Sequence, residues 1–497
     1  LIYNHLLRKN IIVPQKKFKK KISAFEGAYV KEPQIGMHDW VASFDLNSLY
    51  PHLLIMYNIS PETIINADEY TKDMNDVLTQ GVNVESLLSQ KVDTKELNNV
   101  SLTPNGQFFR TTQQGFLPKM MEEMYEDRKK FKKLMIQAQK DYEKKPSKEL
   151  SHLISRYNNL QLAKKVSLNS AYGALGSQYF RFYDLRQALA VTLAGQLAIR
   201  WIENKLNGYM NNLLDTKEDY VVASDTDSIY LKLGTLVNKV FKEKPETNEV
   251  IKFMDKVCDG KIQSFIDKSY KELADYVHAY DQKMVMKREA LADKGVWTAK
   301  KRYILNVYDN EGVRYTTPKL KIMGLEMIKS STPYAIREKM KELTRIIVTK
   351  GEDEVQEFIA KFKEEFKNLP PEEISFPRGC NGLKTYQDNT LIYKKGTPIH
   401  VRGALLYNLQ LEKLGLEKKY PKIQSGEKLK FTYLKQPNPI KDNVLSFPTR
   451  IPKEFGLHKY IDFDTQFQKG FIEPTRFIVE CIGWEIEKTN SLESFFG

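Results

Sequence analysis

Asp225 and Asp227 stand two residues apart in the stretch 219–233, DYVVASDTDSIYLKL, between two strongly apolar runs. Asp and Ser are the usual residues of tight turns, so the stretch reads as strand, acidic turn, strand. It also reads as a divalent cation site. Carboxylates without His or Cys favour magnesium, with manganese as the substitute. A buried anion needs a partner, which a cation would supply. A third carboxylate, Asp45, closes another apolar run, DWVASF at 39–44. If that strand neighbours the acidic hairpin, three carboxylates converge at one sheet edge. Two cations held there roughly 3.5–4 Å apart suit in-line displacement at phosphorus. One would serve the attacking hydroxyl, the other the leaving pyrophosphate.

Residues that could hold a triphosphate lie nearby in the sequence. Asn47 and Ser48 follow Asp45 and suit a helix cap. Backbone amides at such a helix start cradle phosphate, although a plain capped strand-to-helix turn needs the same residues. Tyr50 would then lie beneath the sugar, where a ring leaves no space for a 2′-hydroxyl. Lys165, Asn169 and Tyr172 share one helical face at i, i+4, i+7. Gly173 and Gly176 follow and allow another backbone or a base pair close. Arg128 and Lys132 are i, i+4 on an earlier helix. Two such cationic faces would clamp a triphosphate; a solvated basic helix pair gives the same pattern.

These side chains need positioning elements. Residues 118–142 and 149–176 are long, helix-like and free of internal Pro, with Pro146 and Ser147 as stop and new N-cap between them. They predict an antiparallel helical hairpin. Residues 287–330 are β-rich and include the basic cluster Lys300, Lys301, Arg302, Tyr303; from about 332 the pattern turns helical. With 497 residues the chain supports more than one domain. No run of about 18 apolar residues predicts a membrane span. The three cysteines, Cys258, Cys380 and Cys481, show no CxxC spacing, which points away from zinc and disulfides and toward a reducing cytoplasm. The net charge of +14 points to a polyanionic partner, nucleic acid first. The basic runs KKFKKK at 16–21 and RKKFKK at 128–133 each enclose an aromatic, which suits phosphate contact with stacking.

Together these motifs resemble family B DNA polymerases. DLNSLYP from Asp45 looks like their motif A, KVSLNSAYG from Lys165 like motif B, SDTDS from Ser224 like motif C, and KKRY from Lys300 like the primer–template clamp motif. All four stand in family order. GAYVKEP at 27–33, NISPETI at 58–64, and PKLKIMGLE with KSSTP at 318–333 are closer still to the replicative polymerases of T-even-type bacteriophages.

The resemblance implies an α+β right-hand fold. A lead-in segment would cover 1–38, an antiparallel-sheet palm 39–116 and 178–331, two-helix fingers 117–177, and a mostly helical thumb 332–490. It implies Asp45 and Asp225 as ligands of two magnesium ions, Asp227 as a supporting carboxylate, and Glu289 as a further palm carboxylate near the metals. Arg128, Lys132 and Lys165 would grip the triphosphate with the amides of Ser48 and Leu49. Asn169, Tyr172 and Gly173 would face the nascent base pair, and Tyr50 would be the steric gate. Lys300, Lys301, Arg302 and Tyr303 would touch DNA. Lys287 departs from the phage pattern, which has Asp two residues before Glu289, so the site is less negative than that pattern implies. The tail 491–497, with Leu492, Phe495 and Phe496 at i, i+3, i+4, resembles a sliding-clamp-binding peptide; docking on its own thumb is the alternative. The first residue is Leu and no DxE precedes the palm, so the chain is expected to be the synthetic portion of a longer or split enzyme, with a proofreading exonuclease as an upstream domain or separate subunit.

The function so implied is template-directed addition of deoxynucleotides to a primer end, in the cytoplasm of an infected bacterial host, with primer–template DNA and dNTPs as partners. A DNA-binding half that is inactive without its exonuclease-bearing half is the alternative. A two-metal nuclease is more distant, because it needs no nucleotide-closing helix.

Overall fold

The computed structural model describes residues 2–16, 26–243, 245–388 and 390–487. The predicted tail residues Leu492, Phe495 and Phe496, and Lys17–Lys21 of the first basic run, lie outside them. By contacts the chain divides into two compact units. Unit 1 comprises Leu1–Glu32, Trp40–Ala292 and Tyr308–Arg314; unit 2 comprises Pro33–Asp39, Asp293–Val307 and Tyr315–Gly497.

The chain opens with α1 (Ile2–Arg8), β1 (Gly36–Leu46) and α2 (Leu49–Met56). Two short helices follow, α3 (Lys72–Thr79) and α4 (Val84–Leu88), then a small hairpin, β2 (Val100–Leu102) with β3 (Phe108–Arg110). Next come three long helices: α5 (Phe116–Lys144), α6 (Lys148–Leu175) and α7 (Leu185–Leu214). The acidic hairpin is β4 (Val221–Asp225) and β5 (Ser228–Lys232). Helices α8 (Gly234–Val240), α9 (Thr247–Val257) and α10 (Gln263–Tyr276) precede β6 (Met286–Ala299), β7 (Arg302–Asn310) and β8 (Val313–Met323). The main sheet has the order β4-β5-β1-β6-β7-β8, with β5 antiparallel to both β1 and β4.

In unit 1 the predicted helical hairpin forms. Ser147 caps α6 by accepting from the Leu150 amide at 3.2 Å, and Lys164 on α6 pairs with Asp127 on α5 at 2.5 Å. The base of the hairpin enters the core through Leu117, Met120, Met121 and Met124 on α5 and Leu168, Ala171 and Leu175 on α6. The buried helix α7 packs on the same core through Val191, Leu197, Trp201 and Ile202. Residues 41–44 of β1 and 228–231 of β5 are buried without a break, so both faces of these strands are covered, as expected for a continuous apolar run.

Unit 2 has its own cores. Helices α11 (Tyr334–Thr349) and α12 (Glu352–Phe366) pack through Ile336, Met340, Val355 and Phe362. The region predicted as mostly helical also holds a three-stranded antiparallel sheet, residues 428–433 flanked by 376–379 and 444–447. Among the described residues no helix is long and apolar enough to cross a membrane.

Candidate active site

The sheet register decides how the carboxylates meet. Asp45 on β1 and Asp225 on β4 are both paired with Ser228 on the strand between them. Directly paired residues point to the same face of a sheet. Asp45 and Asp225 therefore face one side at one level, their backbones two strand spacings apart, about 9–10 Å. Ser43, two residues before Asp45, faces the same side. Its hydroxyl donates to the Glu289 carboxylate at 3.3 Å and accepts from the Ala290 amide at 3.0 Å. Glu289, implied only by resemblance, thus joins the face on a third strand. Period-two spacing from Asp45 was the available signal for Ser43.

The turn between β4 and β5 is tighter than a plain hairpin. Thr226 has φ +61°, and the Asp227 amide donates back to the Asp225 carbonyl at 2.6 Å. A β-branched residue in that region is strained, and an i→i+2 bond about a positive φ is a rare turn. Three contacts hold it. Thr226 donates its hydroxyl to Asp225 at 2.9 Å and its amide to the Tyr29 carbonyl at 3.0 Å; the Asp227 carbonyl accepts from Leu46 at 2.7 Å. Burial, then the neighbouring Asp225 charge and, more weakly, Glu289, push the Asp227 carboxyl up to about 6, while Lys165 opposes the rise. Negative charge is thus crowded at this tip, and a cation would relieve it. Among the described residues no three His, Cys, Asp or Glu side chains form a ready metal cage. Magnesium characteristically takes one or two protein carboxylates and completes its shell with water and phosphate oxygens, so the donor set fits that ion.

The predicted phosphate-binding residues gather on the same unit. Ser48 stands at the N-cap of α2, but with φ +49° and no capping bond from its side chain. Its hydroxyl instead accepts from the Arg128 guanidinium at 2.6 Å. The Nε of Arg128 is buried without a partner. Leu49 begins the helix and is buried. His52 donates Nδ1–H to the Asn47 carbonyl and approaches that of Ser48 at 3.2 Å, so the neutral ring braces this loop. Lys132 pairs with Glu311 at 3.2 Å. Lys165 and Asn169 are exposed on α6, and Gly173 has open space where a Cβ would stand. Tyr172 is half-buried and stacks on Tyr50, centroids 4.4 Å apart at 22°. The two rings, assigned separately to base and sugar, form one pair. A cleft of about 550 Å³ is lined by Asp45, Asn47, Lys132, Glu289 and Glu311, with Lys287 on its wall.

The basic cluster lies in unit 2 at the turn from β6 to β7. Lys300 and Lys301 are exposed, and Lys301 has φ +61°. Arg302 pairs with Glu326 at 2.7 Å. Tyr303 is only 6% exposed and stacks on Trp297. Of the four side chains, those of Lys300 and Lys301 are the exposed ones. A Cβ on Gly324 would stand 2.1 Å from the Lys301 carbonyl, so this close approach requires glycine.

The family profile described as DNA polymerase family B matches residues 1–378. The DNA-directed DNA polymerase of Enterobacteria phage T4 is 34% identical over the whole of this chain and 60% of its own length. That of Escherichia phage RB69 is 32% identical, again over the whole chain and 59% of its own length. A DNA polymerase of Thermococcus gorgonarius is 25% identical over 97% of the chain. The chain thus spans about 60% of the length of the phage relatives.

Proposed function

The chain belongs to DNA polymerase family B, and from that premise we propose that it carries out template-directed extension of a DNA primer by phosphoryl transfer from dNTPs. Asp45 and Asp225 would hold two magnesium ions, with Asp227 and Glu289 in support; the ions would supply charge neutralisation at the reacting phosphate. Arg128, Lys132 and Lys165 would bind the triphosphate over the amides of Ser48 and Leu49. The unpartnered Nε of Arg128 supports that reading, since an anion there would satisfy it. Tyr50, backed by Tyr172, would exclude the 2′-hydroxyl, and Asn169 and Gly173 would lie against the new base pair. Residues 39–116 and 178–331 would serve as palm, 117–177 as fingers and 332–490 as thumb. Lys300 and Lys301 would contact the duplex, and the tail bearing Leu492, Phe495 and Phe496 would bind a sliding clamp.

The single observation that carries this reading is the shared pairing of Asp45 and Asp225 with Ser228, which puts both carboxylates on one face. Primer extension with magnesium tests it. Asp225→Ala should lose on the order of a thousandfold or more in rate, since a catalytic metal contributes several kcal/mol to the transition state. A folded Asp225→Ala protein that extends a primer as fast as the parent would refute the proposal.

A further inference from the structure

The strained turn that carries Asp225 and Asp227 lies at the end of β4, and β4 is the edge strand of its sheet. An edge strand leaves backbone groups without sheet partners. Here a short run of chain covers them. Val30 bridges Asp225 in antiparallel fashion, Thr226 donates to the Tyr29 carbonyl at 3.0 Å, and Lys31 donates its amide to the Ser224 carbonyl at 3.1 Å. Two backbone bonds cannot hold an extended segment against the conformational entropy lost in fixing its residues. The segment needs side-chain anchors.

Helix α7 supplies them from one face. Gln196, Arg200 and Glu203 recur at i, i+4, i+7 and so line up along the helix. Gln196 donates to the Gly27 carbonyl at 2.7 Å. Arg200 lies 5.2 Å over the Tyr29 ring. Glu203 pairs with the Lys31 ammonium at 2.7 Å. Residues 27, 29 and 31 alternate as an extended strand does, so one edge of the segment is fixed to α7 while its backbone serves β4. The last anchor is the strongest. The Lys31 ammonium lies between Glu203 and Asp219, 2.7 Å from each, and the side chains of Lys31 and Glu203 are only 13% and 11% exposed. The second Glu203 oxygen accepts from Ser224, inside β4, at 3.3 Å. Asp219 accepts from Asn207, whose own oxygen takes the Tyr220 amide at 2.8 Å. Burial works to lower the Lys31 pKa, yet the bonds to Asp219 and Glu203 leave it raised, so the lysine stays charged.

We propose that Lys31 is a positioning residue: clamped between Glu203 and Asp219, it fixes the segment 27–31 along β4 so that the Tyr29 carbonyl holds the Thr226 amide and, through that turn, the carboxylates of Asp225 and Asp227. Removing the ammonium leaves two carboxylates facing each other at the edge of the core, and the segment loses the anchor nearest β4 while those at Gly27 and Tyr29 remain. The turn then relaxes toward an unstrained conformation that carries the carboxylates differently. On α5, Arg128 and Lys132 pair instead with Ser48 and Glu311.

The effect on catalysis rests on the polymerase reading above; the effect on the turn does not. Hydrogen exchange on the full chain reads the turn directly. Lys31→Met should exchange the Thr226 amide about tenfold faster or more, with amides of α6 unchanged. In primer extension the same variant should lower kcat about tenfold or more, raise the magnesium midpoint, and leave KM for dNTP within about twofold. Lys31→Arg, which keeps the charge, should retain at least about a third of parental kcat. If Lys31→Met fails to fold, Glu203→Gln, which keeps a partner for Ser224, carries the same expectations. Unchanged Thr226 protection in a folded variant overturns the proposal, as does a loss confined to KM. If the parent itself extends no primer, the polymerase reading fails and the exchange result still decides the clip.

Discussion

At the scale of single residues, the chemistry of the site depends on groups whose ionisation the surroundings have moved. His52 is an instance outside the carboxylate cluster. Burial is the main cause holding its pKa down; the Asn47 and Ser48 carbonyls oppose this, and the positive charges of Lys283 and Arg128 add to the lowering. The fold therefore favours the neutral ring, which braces the loop carrying Ser48. The unfolded chain takes up the proton near the ordinary value of about 6.5, whereas the folded chain resists it. Below that pH the unfolded state binds more protons, so stability falls as pH falls, and the contribution is fully present only above about 6.5. His52→Gln removes the titrating group. Its stability should fall less steeply than the parent's between pH 7 and pH 5, with a difference of at most about 1.4 kcal/mol per pH unit, the limit for one proton. Denaturant midpoints of both proteins across that range check this; parallel slopes would mean that His52 is charged in the fold. The sequence marked Ser48 as a cap residue, which its position bears out, but not its bond to Arg128 eighty positions away. Local spacing cannot show such a partner.

At the scale of elements, the start of α5 shows how a remote segment can set a helix. Gly115 occupies the N-cap and offers no side chain, so the first amides of the helix need acceptors from elsewhere. The loop at 58–62 provides them. Asn58 accepts from Gly115 at 2.8 Å, Glu62 from Phe116 at 2.5 Å and Ser60 from Leu117 at 3.3 Å. Gly115 is required by close approach, since a Cβ would stand 2.5 Å from that of Ser60. The loop thus fixes the base of the hairpin that carries Arg128 and Lys132. Asn58 is fully buried and also donates to the Arg110 and Gln113 carbonyls at 2.6 and 2.8 Å. Asn58→Ala strands three backbone groups, each costing about 1–3 kcal/mol if left unpaired in the interior. The expected result is a drop of several degrees in the unfolding temperature. Asn58→Asp, which still accepts from Gly115 but cannot donate, should recover only part. A melting curve for Asn58→Ala that overlays the parent's would show that these bonds do not hold the hairpin base. In the sequence, NISPETI stood out only as phage-like text. Its task lies more than fifty residues away, whereas the two helices themselves were legible from their length, their lack of internal Pro and the Pro146–Ser147 break.

At the scale of the whole molecule, what was legible follows the same division. Strands around Asp45 and Asp225, the acidic turn and the helical hairpin come from local pattern, and the structure has each of them. Pairings such as Ser43 with Glu289, Lys132 with Glu311 and Tyr50 with Tyr172 come from topology, which no local pattern encodes. The net charge of +14 is a property of the whole chain and has two readings: a polyanion partner, or solubility alone. Salt separates them. A protein that neutralises Z duplex phosphates releases counterions, and log K falls against log[salt] with slope about −0.9Z. If the basic surface tracks a primer–template duplex through about six phosphates, affinity should fall roughly a thousandfold between 50 and 200 mM salt. Lys300 and Lys301, the exposed members of their cluster, would account for two of those contacts. A Lys300→Ala/Lys301→Ala protein should therefore bind more weakly on every sequence, with a slope shallower by about two. Fluorescence anisotropy with one labelled duplex across the salt series reads both quantities. A slope near zero for the parent would assign the charge to solubility. A steep slope unchanged in the double variant would place the phosphate contacts on other residues.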